Sequence, residues 1–413
     1  MPTELFDLAV IGAGPTGLDA ALAALDEGLD VVVLEAAPSV AASVRDWGHV
    51  RLFTPWAINA SHRMRRHLNA AGSAVPADTD SATRPTGAEL AEQLLEPVAA
   101  LPVLAGRIRT GTRVTAVGRE GLLKHEHIAD ADRAARPFRL AVHGDGGDDV
   151  VRARAVLDCS GGYAVPNALG DAGIPARGEL GLADRIDRRL PDLAADQGYW
   201  SGRTTLLVGA GYSAQTAAGD LAVLADGAPG TAVVWAIRET EPAFGAVADD
   251  PLPARAALSD RAMALATGAH PAVTARTGVT VEAVAERNDR LVVTLRGDDG
   301  TLDDVEVDRI LALTGTLGDQ SIYRQLQVHE CYATLGPITL SGALLGAAAG
   351  DCMTQPAQGV DVLRNPEPGF YVLGNKSYGR NNQYLLRVGY EQVDVVLPDV
   401  AATLGRLPEP APA

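Results

Sequence analysis

Cysteine is scarce in this 413-residue chain: Cys159, Cys331 and Cys352 are all it has, and no two of them form a C-x-x-C pair. A disulfide framework and an all-cysteine zinc site are thereby excluded, and the cysteine usage suits a reducing, cytoplasmic setting. Positive charge is also in deficit. With 35 Lys+Arg against 52 Asp+Glu, the net charge is −17. A nucleic-acid binder needs a basic face, so small molecules are the expected partners. No apolar run reaches the length of a membrane span, and a strand-like pattern begins almost at the N-terminus, so neither a span nor a signal peptide is expected. Aromatics make up only 4% of the residues. The 47% hydrophobic content still suffices for two or three well-developed cores.

Glycine, by contrast, is plentiful, and two clusters of it have a particular syntax. In "LFDLAVIGAGPTG" an apolar run precedes Gly12, Gly14 and Gly17 in G-x-G-x-x-G spacing, followed by an Ala/Leu-rich helical pattern. The first glycine permits a tight turn, the second lets a pyrophosphate approach the backbone, and the third lets helix pack on strand. A second apolar run, "DVVVLE", then places Glu35 about twenty residues on, where a carboxylate accepts hydrogen bonds from a ribose. The pattern recurs in "RTTLLVGAGYSAQTAAGDL", with Gly209, Gly211 and Ala214 in G-x-G-x-x-A spacing. Its following strand, "TAVVWAIR", ends in Arg238 where the first copy has an acid, which favours NADP over NAD.

The two copies continue to match. "RVTAVGRE" with "PFRLAVHGDGGDDVVRARAVLDCSG", and later "TVEAVAERNDRLVVTLRGDDGTLDDVEVDRILALTG", each read as a β-meander ending in small residues. The C-terminal "GFYVLGNKSYGRNNQYLLRVGYEQVDVVL" adds a strand, a glycine turn and a helix that complete the first unit, so the copies are nested. The expected fold is α/β: two nested Rossmann-like dinucleotide-binding domains, each with a parallel sheet and a meander. The expected boundaries are 1–165 and 308–413 for the first domain and 166–307 for the second.

This ordered set of motifs resembles the two-dinucleotide-binding-domain flavoproteins, the superfamily of glutathione reductase, thioredoxin reductase and the flavin-containing monooxygenases. The resemblance implies that the first unit binds FAD and the second NADPH. It implies further that Gly12, Gly14 and Gly17 cradle the FAD pyrophosphate, that Glu35 holds the adenosine ribose, and that Val114 offers main chain to the adenine. "LDCSGG", with Ser160, resembles the family's A-T-G strand end. "YVLGNKS" resembles its Gly-Asp turn, here Gly374-Asn375, which keeps a hydrogen-bonding side chain but removes a charge. A helix starting near Asn382 would point its N-terminus at the flavin. Gly209, Gly211 and Ser213 would take the NADPH pyrophosphate, with Arg238 at the adenosine end.

Disulfide reductases of this superfamily place two cysteines close in sequence beside the flavin, and this chain has none so placed. The segment after Glu35 is its most distinctive part: Trp47, His49, Arg51, Phe53, Thr54, Pro55 and Trp56 crowd aromatic and polar groups into ten positions. Such a concentration suits a wall against a flavin ring, with Arg51 as a cofactor contact and Thr54 and Trp56 as candidate catalytic residues; anchoring of a long loop on the core is the other reading. The basic run His62 to His67 reads as a solvated helix face, "KHEHIAD" as a loop, and "ADDPLPARAAL" as a linker or the border of a nicotinamide pocket. No metal site is expected. The resulting functional reading is a monooxygenase that oxygenates a small organic nucleophile through a flavin hydroperoxide, with oxygen as co-substrate. An NADPH-dependent reductase or oxidase without a redox disulfide is the alternative, and a non-catalytic nucleotide sensor a remote one.

Overall fold

The computed structural model describes residues 4–74, 83–128, 130–346 and 359–405. The chain divides into two compact units, one comprising residues up to Val165 and from Leu317 onward, the other Pro166–Thr316.

In the first unit, β1 (Leu5–Ile11) leads through the glycine loop into α1 (Pro15–Asp26) and returns as β2 (Val31–Leu34). β3 (Ile108–Arg109), β4 (Arg113–Arg119), β5 (Phe138–Gly144) and β6 (Gly147–Asp158) come next. Among the described residues they form one sheet in the order β3-β2-β1-β6-β5-β4, joined by a C-terminal strand, Phe370–Val372. The twelve-residue β6 is the reason the meander and the parallel sheet are continuous. Its Arg152–Asp158 stretch pairs in parallel with β1, while its other edge takes β5 as far as Ala153 and the C-terminal strand from Val156. Alternation along β1 sends Leu8 and Val10 to a core with Leu18, Leu22, Met64 and Val393, and Ala9 and Ile11 to a second core with Phe138 and Phe370.

The second unit keeps its two sheets apart. A parallel sheet runs Val273–Arg276, Ala232–Ala236, Thr204–Val208, Arg309–Ala312, Ile186–Asp187, and the meander Val279–Arg287, Arg290–Gly297, Leu302–Val307 is a separate antiparallel sheet. The boundary expected at 307/308 therefore moves to Thr316/Leu317. The strand Arg309–Ala312 pairs along Thr204–Val208 and belongs to this unit's core.

Two further expectations are corrected, and a third is filled in: "KHEHIAD" is a loop as expected. The helix expected near Asn382 is Leu386–Leu404; residues 381–385 are irregular, with Asn381 Oδ1 accepting the Gln383 amide at 2.9 Å. An asparagine side chain favours such local bonding over helix. The "KHEHIAD" loop is tethered by buried charge: Arg133 and Arg119 both bond the Glu367 carboxylate with all three side chains fully buried, and Arg133 also donates to the Leu123 and Glu126 carbonyls. The basic helix His62–Ala70 is not simply solvated. Arg63 is buried and spans three carboxylates: Asp19 at 2.6 Å, Asp394 at 2.5 Å and Asp26 at 3.4 Å. Among the described residues, no helix is long and apolar enough to cross a membrane.

Asp19 lies at the centre of that network, fully buried on α1, with Ser61 Oγ donating to it at 2.5 Å. Burial pushes its carboxyl up to about 6, against the pull of Arg63, Ser61 and His62, and the charge of Asp394 adds to the rise. The folded state thus holds this proton up to about pH 6, whereas the unfolded chain releases it near the usual carboxylate value. The group's contribution to stability is greatest in acid and declines as pH rises towards 6. In urea titrations, the unfolding free energy of wild type minus that of Asp19→Asn should fall from pH 4 to 6 and level off above. A difference that rises over that interval would show that Arg63 outweighs burial.

Candidate dinucleotide sites

The first glycine loop has the shape its spacing demands. Gly12 has φ +98°, and a Cβ there would lie 2.8 Å from the Cys159 carbonyl oxygen; a Cβ on Gly17 would run into the Gly12 carbonyl. Gly14 is different, since a Cβ there would meet nothing within 4 Å. That open side leaves the backbone accessible, as the approach of a pyrophosphate requires. Glu35, at the end of β2, accepts from the Ala13 amide at 2.7 Å and from Ala37 at 2.9 Å, which places its carboxylate beside the loop.

Two strand ends complete this cradle. β6 runs into Asp158, Cys159 and Ser160, and the C-terminal strand into Gly374, whose φ of +70° sets up the short helical turn Asn375–Tyr378. Gly374 donates its amide to Gln392 Oε1 at 2.7 Å, and Asn375 lies against Gly162. Between the strand ends sits a pair that sequence reading missed. Lys376 and Asp158 are both fully buried and 2.6 Å apart, and the ammonium also donates to Ser160 Oγ at 3.1 Å and the Asp319 carbonyl at 2.7 Å. Asp158 Oδ1 receives the Ser160 hydroxyl at 2.6 Å. A lysine directly after Gly-Asn and an aspartate directly before Cys-Ser were the available signal. Tyr384 was missed too; its hydroxyl lies 3.1 Å from Thr16 Oγ1, and both Gly374 and Gly389 are too close to Thr16 to carry a side chain freely.

Val114 lies on β4, an edge strand, next to a register shift between Val114 and Ala116. Asn382 is exposed in the stretch before the C-terminal helix. Arg51 is half exposed and is drawn to the Arg84 carbonyl and, at 3.4 Å, to Glu89. The two candidate catalytic residues are placed differently from expectation. Trp56 is 3% exposed and belongs to the core around Met64 and Leu90. Thr54 is 5% exposed, its hydroxyl donates to Asn59 Oδ1 at 2.7 Å, and Asn59 donates back to the Thr54 carbonyl at 2.8 Å. Both therefore anchor the loop on the core, because an indole and a paired hydroxyl gain more from burial here than from facing an opening.

The second loop repeats the form. Gly209 has φ +124°, and its Cβ would collide with the Leu313 carbonyl; Gly211 again faces open space, and Ser213 is exposed. Arg238 extends from the strand end with a side chain 79% exposed, 3.2 Å from Glu239. Asp250 and Arg255 form a buried pair at 2.7 Å that fixes the entry into the helix Pro253–Ala266, so this stretch is a structural joint. In "KHEHIAD", His127 pairs with Asp130 at 3.1 Å on the exposed surface.

Two glycine loops of this form, each opening a helix after a parallel strand and each with an unobstructed middle glycine, fit two dinucleotides and define a two-site α/β oxidoreductase. The chain belongs to the pyridine nucleotide-disulphide oxidoreductase family, whose profile matches residues 6–331. It is accordingly a flavoprotein oxidoreductase, with FAD and a pyridine nucleotide as cofactors. No curated protein matches the sequence. Among solved structures, the bacillithiol disulfide reductase Bdr (YpdA) from Bacillus cereus is similar over 97% of this chain and 99% of its own (17% identity, TM-score 0.69). DfoA bound to FAD, a cadaverine monooxygenase of desferrioxamine biosynthesis from Erwinia amylovora, is similar over 98% and 97% (13% identity, TM-score 0.66). The ornithine N-hydroxylase KtzI from Kutzneria, a complex with reduced FAD, NADP⁺ and L-ornithine, is similar over 96% and 99% (14% identity, TM-score 0.63).

Two measurements test the cradle. Gly14→Val should abolish FAD binding while leaving the melting temperature of the ligand-free protein near wild type, because a Cβ there meets no protein atom within 4 Å. Lys376→Met should cost about 3 to 5 kcal/mol in denaturant unfolding, the cost of stranding a buried charge, and Lys376→Met with Asp158→Leu should recover at least half of it. Equal stability of wild type and Lys376→Met would show that the pair contributes nothing to the fold.

Proposed function

We propose that this protein is an FAD- and NADPH-dependent monooxygenase acting on a small organic nucleophile, with no redox disulfide in its electron path. The observation that carries this reading is the state of its cysteines. Cys159 is buried at the end of β6, where burial, and after it the charge of Asp158, push its thiol well above the usual range, so it stays protonated and unreactive. Cys331 is buried and likewise free, and Cys352 lies outside the described residues. Among the described residues, therefore, no cysteine pair stands ready to exchange electrons with a flavin. The fold shared with the cadaverine monooxygenase and the ornithine N-hydroxylase, over nearly the whole of each chain, supports the same direction.

FAD, when bound, takes up a hydride from the nicotinamide and passes its electrons on. The chain's part is to hold and orient. Gly12, Gly14 and Gly17 present backbone to the FAD pyrophosphate, Glu35 accepts from the adenosine ribose, and Val114, Ser160, Gly374 and Asn375 line the rest of the cradle. Gly209, Gly211 and Ser213 hold the nucleotide pyrophosphate. Arg238, whose guanidinium is exposed beside a single acid, meets the 2′-phosphate that distinguishes NADPH.

A second reading has one observation in its favour. The Thr334 amide and hydroxyl bond the Cys331 sulfur and hold its thiol below the usual value, as a nucleophile in a reductase of small disulfides requires. The likeness to Bdr supports the same alternative.

Anaerobic reduction with NADPH followed by mixing with oxygen separates the two readings. The monooxygenase should consume NADPH and oxygen with an amine, sulfide or ketone substrate and keep that turnover in Cys331→Ser. Oxygen returned wholly as peroxide across those substrates, together with loss of activity on a small disulfide in Cys331→Ser, would establish the reductase instead. Arg238→Ala should narrow the preference for NADPH over NADH by about 1.5 to 3 kcal/mol, as read from kcat/KM ratios. A wild type that uses both nucleotides equally would remove Arg238 from the site.

A further inference from the structure

At the third glycine position the two loops differ by one methyl group, and the difference has a structural echo. In the first unit the Gly12 carbonyl oxygen occupies the space that a side chain on Gly17 would fill. In the second unit the matching position is Ala214, fully buried, so a methyl group stands where the first loop has none. The Gly209 carbonyl points elsewhere: it accepts from the indole Nε1–H of Trp235 at 2.7 Å. The next carbonyl along, that of Ala210, accepts from Gln215 Nε2 at 2.9 Å, and the same nitrogen donates to the Phe244 carbonyl at 3.0 Å. Trp235 is 0% and Gln215 1% exposed, and the indole packs on the Phe244 ring with centroids 5.2 Å apart. Gln215 Oε1 is buried with no partner among the described residues, so the side chain is held there for its donors.

Peptide planarity turns these two bonds into a direction. In a trans peptide C=O and N–H point to opposite sides, so holding the oxygens of Gly209 and Ala210 aims the amides of Ala210 and Gly211 the other way. The first unit shows what such an amide receives: Ala13, which matches Ala210, donates to the carboxylate of Glu35. In the second unit the register that pairs Ile11 with Leu34 pairs Val208 with Ala236, so Ile237 stands where Glu35 stands in the first; the internal carboxylate is absent and Arg238 follows one residue on.

We propose that Trp235 and Gln215 are positioning residues for the pyridine nucleotide: they fix two consecutive peptides of the second loop so that the Ala210 and Gly211 amides face a pyrophosphate. Trp235 does the work that the missing third glycine does in the first loop. The proposal rests on the second unit being the NADPH site, and the test keeps the two apart. NADP⁺ and NAD⁺ are titrated into the FAD-loaded protein, and NADPH oxidation is followed with ferricyanide as acceptor. In Trp235→Phe, which keeps a ring against Phe244 but removes the donor, Kd and KM for the preferred nucleotide should rise about tenfold, the worth of one hydrogen bond. The maximal rate and FAD content should stay at wild-type values. Gln215→Leu should behave alike, and it decides the matter if Trp235→Phe does not fold.

Adding Ala214→Gly to Trp235→Phe should bring affinity back to within about threefold of wild type, since it reopens the space the Gly209 oxygen needs, although a helix glycine is itself destabilising. A merely structural tryptophan would lower thermal stability without this split and without rescue by glycine. Variants that bind the nucleotide as tightly as wild type, or a glycine that rescues nothing, overturn the proposal. A wild type that binds neither nucleotide overturns the assignment of the second unit and the proposal with it.

Discussion

The first unit is assembled from two stretches of chain interrupted by a complete second unit, and the buried Lys376–Asp158 pair joins them at the point where they must meet. Asp158 ends β6 on the early stretch, and Lys376 comes just after the C-terminal strand on the late one. A charge pair taken wholly out of water is favourable only where its remaining hydrogen-bonding capacity is met. Here Ser160 and the Asp319 carbonyl meet it, so the geometry is narrowly specified. Ser160, Gly374 and Asn375 all hang from the two strand ends that this pair aligns. The Arg119–Arg133–Glu367 cluster joins the same two stretches at the meander side, again with the charges fully buried.

The helical side of the unit is joined by charge as well. Asp19 of α1, Arg63 of the helix His62–Ala70 and Asp394 of the C-terminal helix bring three elements together beneath the glycine loop. The chain is thus acidic overall yet places several of its few cations inside, at seams between sequence-distant segments. The seams differ in balance: Lys376 and Asp158 pair one to one, two arginines share Glu367, and Arg63 faces three aspartates.

Much of the fold is legible in the sequence because glycine spacing and apolar runs are local signals. G-x-G-x-x-G after a strand specifies turn, approach and packing within six residues, and the nested order comes from a C-terminal strand and helix without a partner of their own. The features that resist reading depend on contacts across the sequence. The boundary near 307 is misplaced from sequence because "RILA" adjoins the meander directly, and only pairing with Thr204–Val208 reveals its sheet. Arg63 reads as solvent-facing because its neighbours are basic, while its acidic partners lie 44 and 331 residues away. Trp56 and Thr54 stand out by composition, which cannot tell a ring that faces a ligand from one that anchors a loop. Trp235 draws no notice inside an ordinary hydrophobic strand, although the alanine at position 214 is its counterpart in plain view.

The twelve-residue strand β6 has a consequence for synthesis. Its far edge is built for a C-terminal strand that leaves the ribosome more than two hundred residues later, as the register of Val156 with Phe370 requires. Until then the first unit has an unfilled sheet edge and lacks the helix that covers α1. The intervening unit, Pro166–Thr316, is contiguous and has cores of its own. Domains complete themselves as their last segment emerges, so the second nucleotide site in the sequence is the first to be finished on the ribosome. The N-terminal half must wait with its edge open, and it is during that wait, before the C-terminal strand arrives, that the chain is most exposed to wrong strand pairing.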